Sequence, residues 1–235
     1  MIEASRRGAV HRAARAFLVG GLVGSLLLGC TAGATPKPST GGGGGSGGAG
    51  PAGCPTAAPA KAATGSSSTA TIDTPKGKIV IKLEADLGPA SVGNFVALAQ
   101  CGYYDGVVFH RLVPGFVVQG GDGQYGRQAT LNKSRVGGGG PGYTIEDDPV
   151  KATYGRGVVA MARTASPHSQ GSQFFIVLSD DARPALASAN TYAIMGHVTS
   201  GMEVVDAIAA MPNSGDPSNA AIDPVPMTKV TVSTP

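Results

Sequence analysis

The segment Lys78-Ile79-Val80-Ile81-Lys82-Leu83 places apolar side chains at 79, 81 and 83, the period-two pattern of a strand with one buried face. Short runs of the same kind recur at 107–113, 116–119, 157–162, 173–178, 192–198 and 227–232. Two segments follow the helical period instead. Over Pro89–Ala99 the residues Val92, Phe95, Val96 and Ala99 share a face, and the pattern stops at Gly102; over Met202–Met211 the stripe is Val204, Val205, Ile208 and Ala209, ended by Pro212. Many short strands with two helices between residue 70 and the C-terminus predict a mainly β domain, a closed or nearly closed antiparallel barrel with helical lids.

Ahead of residue 70 this patterning is missing. Residues 31–69 are almost entirely Gly, Pro, Ser, Thr and Ala, with Lys37 and Lys61 as the only charges, so they offer no face to bury. Residues 30–69 are expected to form a disordered tether with a reach of roughly 35 Å. Ser46 formally completes a G-x-S-x-G pattern, which is set aside because that motif needs a strand before it and a helix after it. Further upstream, arginines up to Arg15 precede the apolar run from Phe17 to Leu28 and then Gly29-Cys30, the layout of an export signal over residues 1–29. That run is shorter than the ~20 residues a membrane-spanning helix needs. Leu27-Leu28-Gly29-Cys30 resembles a bacterial lipobox, which implies cleavage before Cys30, lipid on its sulfur and a chain held at the extracytoplasmic face of the cell membrane. The alternative is a soluble secreted protein with an incidental cysteine.

Composition narrows the function classes. The chain carries a formal net charge of +3, but Arg6, Arg7, Arg12 and Arg15 against Glu3 account for all of it. The rest is neutral, leaving no cationic excess to displace counterions from a nucleic acid. With no Trp and 5% aromatic residues there is also no stacking platform for single strands. His110, His168 and His197 are scattered without ligand spacing, so neither a metal nor a cofactor is expected. If Cys30 carries lipid, Cys54 and Cys101 remain in an oxidising compartment, either as a disulfide tying the tether to the domain or as two free thiols.

Two stretches carry candidate chemistry. In Phe109-His110-Arg111-Leu112-Val113, strict alternation sends Phe109, Arg111 and Val113 to one face, where an arginine is costly to bury unless it is paired or faces a cleft. In Gly171-Ser172-Gln173-Phe174-Phe175-Ile176-Val177, Gln173 and Phe175 share a face. Guanidinium, amide and aromatic ring could thus meet in one groove. The strings FHRLVPGFVVQGGD, GGGGPGYTIEDD, MARTASPHSQGSQFFIVL and YAIMGHV are similar, in order and spacing, to the signature blocks of the cyclophilin-type peptidyl-prolyl isomerases.

The resemblance runs from about residue 70 to the end of the chain. It implies a closed eight-stranded antiparallel barrel capped by two helices, with the active groove on the outside. It also implies that Arg111 is the catalytic arginine, that Phe116, Val117 and Phe175 floor the proline pocket, and that Gln119 and Gln173 are its polar residues. By position, Ala162 and Arg163 offer backbone to the substrate, Gly137 lines the neighbouring pocket, Leu186 is a pocket leucine, and Tyr192 stands where many eukaryotic members have histidine. Many members carry a rim tryptophan that holds cyclosporin. Ala185 occupies the matching position here, which implies weak cyclosporin binding.

The expected activity is acceleration of X-Pro rotation in exported polypeptides by a monomeric enzyme, with a non-catalytic module that grips Pro-containing segments as the alternative. A solute-binding lipoprotein would need more chain for a two-lobed cleft. The remaining motifs are expected to be structural. Gly121–Gly126 matches G-x-G-x-x-G but is not followed by a helical pattern, and Glu146-Asp147-Asp148 is expected to be a solvated acidic loop.

Overall fold

The computed structural model describes residues 50–234. The expected signal segment, Cys30 and the tether up to residue 49 lie outside the described residues. Among the described residues there are nine strands: β1 (Ser67–Thr74), β2 (Gly77–Glu84), β3 (Val107–Val113), β4 (Val117–Gly120), β5 (Val158–Met161), β6 (Phe174–Val177), β7 (Ile194–Ser200), β8 (Ala220–Met227) and β9 (Lys229–Ser233). They form one antiparallel sheet in the order β8-β3-β4-β6-β5-β7-β2-β1-β9. Its two edge strands are consecutive in the chain. Thr228 between them donates both its N–H (2.7 Å) and its hydroxyl (3.0 Å) to the carbonyl of Asp73 at the end of β1, which draws the sheet into a nearly closed barrel.

Nine strands stand against the eight that the resemblance implies: the seven apolar runs each fall on a strand, the run at 227–232 becoming β9, and β1 and β8 are added to them. β8 carries Pro224 and Pro226, which cannot donate to a ladder and are tolerated because this strand lies at the edge of the sheet. β1 went unread for a different reason. Its inward positions are Ser68, Ala70 and Ile72, which alternate correctly but are mostly too small or polar to register as a hydrophobic pattern.

Three helices accompany the sheet: α1 (Pro89–Gln100), α2 (Arg183–Ala189) and α3 (Met202–Ala209). α1 and α3 bury the stripes expected from their period, with Leu98 added and Val96 only half-buried. α2 has seven residues, too few for a period to show, and buries Leu186. It ends at Asn190 in the left-handed region.

The barrel interior is filled by Ile72, Ile79, Ile81, Leu83, Phe109, Leu112, Val118, Met161, Phe174, Ile176 and Met195, with Phe95 and Leu98 of α1 closing one end. Alternate residues of the same strands point outward. Val117, Ala160, Phe175, Val177 and Ile194 make a second apolar cluster on the outer face with Tyr154, Ala182 and Leu186.

Residues 50–66, expected to belong to the tether, instead cross α1 as a strap. Cys54 and Cys101 form a disulfide, Ala62 N–H donates to the Pro89 carbonyl (2.9 Å), and Gly93 lets the strap pass so close that a Cβ there would lie 2.3 Å from the Ala60 carbonyl oxygen. The signal for the strap is Gly93 in mid-helix, a position legible only once its partner is known. Among the described residues no helix is long and apolar enough to cross a membrane.

Candidate active site

A row of residues runs across the outer face of the sheet. The register pairs Arg111 of β3 with Gln119 of β4, Gln119 with Phe175 of β6, Phe175 with Ala160 of β5, and Ala160 with Ile194 of β7. A second row places Val113, Val117 and Val177 side by side. Arg111 reaches this face by a break in register between Phe109 and Arg111, seen against both neighbouring strands. Strict alternation had put Phe109 on the same face as Arg111. The structure corrects this: His110 is an extra residue in the strand, so Phe109 and Leu112 point into the barrel while Arg111 and Val113 point out.

The polar groups of the row are oriented by a chain of hydrogen bonds that leaves each amide one arrangement. Gln173 Nε2 donates to the carbonyls of Gly137 (2.9 Å) and Gly139 (2.8 Å), so its Oε1 must face Gln119. Gln119 Nε2 donates to that Oε1 (3.0 Å), which turns its own Oε1 toward Arg111 Nη1 (3.4 Å). The far end of the chain is fixed by Asp122, fully buried, whose carboxylate accepts from the N–H groups of Gln124, Tyr125, Gly137 and Gly139. Gly137 can offer N–H to Asp122 and carbonyl to Gln173 because it adopts a φ of +95°, the region that favours glycine. Asp122 was not singled out from the sequence. The signal available was a lone acidic residue two positions past a β-strand, ahead of a glycine-rich loop.

Beside the polar row lies the apolar floor. Phe116 is half-buried, while Val117, Phe175 and Leu186 are nearly closed to solvent. Tyr192 packs edge-on against Phe175 with centroids 5.3 Å apart, and its backbone is held by Tyr154, whose hydroxyl donates to the Tyr192 carbonyl (2.9 Å) and accepts from its N–H (3.2 Å). On the other side of the row is a cavity of about 380 Å³ lined by Gln119, Gly137, Ala162, Arg163, Ser172 and Gln173, among others. The residues expected to form the groove therefore fall in two sub-regions, the outer apolar cluster and the cavity lining, joined by the chain Arg111–Gln119–Gln173.

His110, behind the row, is 6% exposed, and neither ring nitrogen has a hydrogen-bond partner among the described residues. Burial pushes its imidazole down to about 4, against a pull upward from Asp122, so it is neutral at pH 7 and Arg111 is the cation of this surface.

The acidic run is not a solvated loop. Asp148 is buried and accepts from Ala90 N–H (3.1 Å), Ser91 N–H (2.8 Å) and Ser91 Oγ (2.7 Å), supplying from a distance the cap that Gly88 cannot provide for α1. Asp147 receives Arg163 Nη1 at 2.8 Å, and Glu146 alone is exposed, paired with Lys61 of the strap. Among the described residues no three His, Cys, Asp or Glu side chains are placed to hold a metal ion.

Residues 69–232 match the family model described as "Cyclophilin type peptidyl-prolyl cis-trans isomerase/CLD". The chain belongs to this cyclophilin family. Among similar proteins, one from Brucella suis biovar 1 named "Probable peptidyl-prolyl cis-trans isomerase" is 40% identical over 134 residues, covering 56% of this chain and 66% of the relative. The chain thus spans just under two thirds of that relative's length. A peptidyl-prolyl cis-trans isomerase of Streptomyces antibioticus is 38% identical over 145 residues, covering 60% of this chain and 82% of its own. A solved cyclophilin-type isomerase of Cryptosporidium parvum superposes with a TM-score of 0.60 at 29% identity, over 71% of this chain and 98% of that one. A second structure of the Cryptosporidium protein, in the presence of the dipeptide Ala-Pro, gives a TM-score of 0.59 at the same identity, over 70% of this chain and 98% of that one. The matched region of this cyclophilin covers the whole outer-face row, the floor and the cavity.

Proposed function

We propose that this cyclophilin accelerates cis-trans rotation about X-Pro bonds in exported polypeptides, assisting their folding at the extracytoplasmic face of a membrane to which Cys30 is attached by lipid. The observation that carries the catalytic part is the row Arg111–Gln119–Phe175 beside the apolar floor. Rotation about an X-Pro bond is slow because it breaks amide resonance, a barrier of ~20 kcal/mol. No covalent bond forms or breaks, so a catalyst must bind the twisted amide better than either planar form.

When the amide twists, its nitrogen becomes pyramidal and regains a lone pair. Arg111, permanently charged and donor-only, supplies a hydrogen bond that the planar nitrogen cannot accept. Gln119, oriented by Gln173, steadies the guanidinium on one side. The floor of Phe116, Val117 and Phe175, walled by Leu186 and Tyr192, holds the proline ring while the preceding residue turns. Ala162 and Arg163 offer backbone to the peptide. The Ala-Pro dipeptide named with the Cryptosporidium relative is the kind of ligand this floor fits.

Three features support the cellular part of the reading: the arginines, apolar run and Cys30 of the first thirty residues, the neutrality of the rest, and the disulfide Cys54–Cys101, a bond that persists in oxidising compartments. A Cys30→Ser variant is expected to leave the membrane fraction and lose incorporation of labelled palmitate; retention of both would refute the anchor.

The test of the activity is a protease-free peptide isomerisation assay on wild type and Arg111→Ala, with both shown to be folded by circular dichroism. Removing a donor that acts only in the transition state is expected to lower kcat by roughly 100-fold to 1000-fold. A folded wild type that does not accelerate rotation would instead make this a module that binds Pro-containing segments without turnover.

A further inference from the structure

Arg163 lies on the rim of the cavity, yet its guanidinium is engaged by the protein. The side chain is only 7% exposed and donates to the carbonyls of Thr164 (3.1 Å), Ser166 (2.8 Å) and Thr191 (3.4 Å) and to Asp147 Oδ2 (2.8 Å). Asp147 also accepts from His168 N–H (2.9 Å) and Gln170 Nε2 (2.7 Å), while its own N–H donates to His168 Nδ1 (3.1 Å). The segment 162–170 links β5 to β6, and several of its hydrogen bonds are internal: Thr164 N–H to Ser169 Oγ, Ser166 N–H to Thr164 Oγ1, and Ser169 Oγ to the Ser166 carbonyl. Between its two strands, its grip on the rest of the domain runs through Asp147, its neighbours and Thr191, while Ala162 at its start is also held by its N–H to the Gln173 carbonyl (2.9 Å).

Asp147 can serve as that anchor because the residues beside it are themselves fixed. Asp148 is tied to the first turn of α1, and Ile145 N–H donates to the Gln170 carbonyl (2.9 Å). Glu146 meets Lys61 of the disulfide-anchored strap at 2.8 Å. A carboxylate held in this way against a guanidinium shielded from water makes a strong, charge-assisted contact with one geometry.

We propose that Asp147 is a positioning residue for peptide binding: through Arg163 it fixes Ala162–Thr164, the groove edge that receives the substrate backbone, and sets the affinity for Pro-containing peptides, not the rate of rotation. This rests on the isomerase reading in taking residues 162–164 as the peptide-binding edge. Substrate meets this edge equally in its planar and twisted forms, so the contact is uniform binding, which moves affinity and leaves kcat in place.

The test titrates the full-length chain in detergent micelles, and its Asp147→Asn and Asp147→Ala variants, with a blocked Ala-Ala-Pro-Phe peptide by NMR. The dissociation constant comes from shift changes and the rotation rate at saturation from exchange between cis and trans peptide signals. Asp147→Asn isolates the charge, because Gln170 can turn its amide to accept from the new NH₂; its Oε1 has no partner among the described residues. Loss of the charge-assisted contact is expected to weaken peptide binding about fivefold in Asn and more in Ala, with the saturated rate held within about twofold. Amides 162–170 should exchange faster. An Asp147→Ala/Arg163→Ala double variant should bind no more weakly than the weaker single variant, since the two act as one unit. Unchanged affinity in folded variants, a fallen saturated rate at unchanged affinity, or loss of the fold in both variants would each overturn the proposal. Affinity is read without turnover, so a wild type that binds the peptide but does not accelerate rotation counts against the isomerase reading alone.

Discussion

Arg111 owes its placement to the residue before it. His110 takes up the extra position in β3, turns the guanidinium outward and sinks its own ring beneath the site, where a Cβ on Gly137 would lie 3.5 Å from its Nε2. A buried neutral imidazole links stability to pH. Its folded value of about 4 lies below the 6.5 of an exposed histidine, so between these values the unfolded chain binds a proton that the folded one does not. Stability from this group is complete above pH 6.5 and is lost as pH falls toward 4, by up to roughly 3 kcal/mol. Urea unfolding of wild type and His110→Gln across this range should show a shallower rise with pH in the variant. Parallel curves would mean that His110 is protonated in the fold.

Among the elements, α1 depends most on distant chain. It starts at Pro89 with a glycine at its cap position, and Asp148, far away in sequence, satisfies two of its open N–H groups. The same acidic run holds the 162–170 loop through Asp147, so one short segment serves a helix end and a loop at the cavity rim. Asp148→Ala is expected to lower the unfolding free energy by about 1–2 kcal/mol, as loss of a cap does, read from the urea midpoint at unchanged m. An unshifted midpoint would show that solvent caps α1 equally well. α2 adds Leu186 to the outer apolar cluster and leaves Ala185 exposed at the position where the resemblance implies a rim tryptophan. With no broad apolar side chain at this rim, cyclosporin is expected to inhibit weakly, and submicromolar inhibition would refute the expectation.

For the molecule as a whole, the disulfide is the long-range clamp. Cys54 and Cys101 are 47 residues apart, and the bond pins the strap to the end of α1. Closing a loop of this length in the unfolded chain is worth about 3–4 kcal/mol, so reduction should lower the urea midpoint while leaving the groove, built on β3 to β7, able to bind peptide. Loss of peptide binding at a midpoint that does not move would place the strap in the site and not in the scaffold. The strap's ion pair, Lys61 to Glu146, is exposed on both sides and contributes little by comparison.

The mainly β class, the faces of α1 and α3 and, through blocks such as FHRLVPGFVVQGGD, the cyclophilin family were legible in the chain alone. These are encoded in short-range periodicity and in strings long enough to be specific. The rest depended on pairs of residues remote in the chain. β1 was hidden by its small inward side chains, and the strap by a composition that resembles a tether until Gly93 and Cys101 meet it. Phe109 is in the core as its type suggests, but that Arg111 faces the other way was hidden by a register break that alternation cannot reveal. The roles of Asp122, Asp147 and Asp148 were decided only by the tertiary structure, because an acidic side chain in a loop is solvated by default. It becomes a cap or an anchor only when folding brings unsatisfied N–H groups or a shielded guanidinium within hydrogen-bond distance.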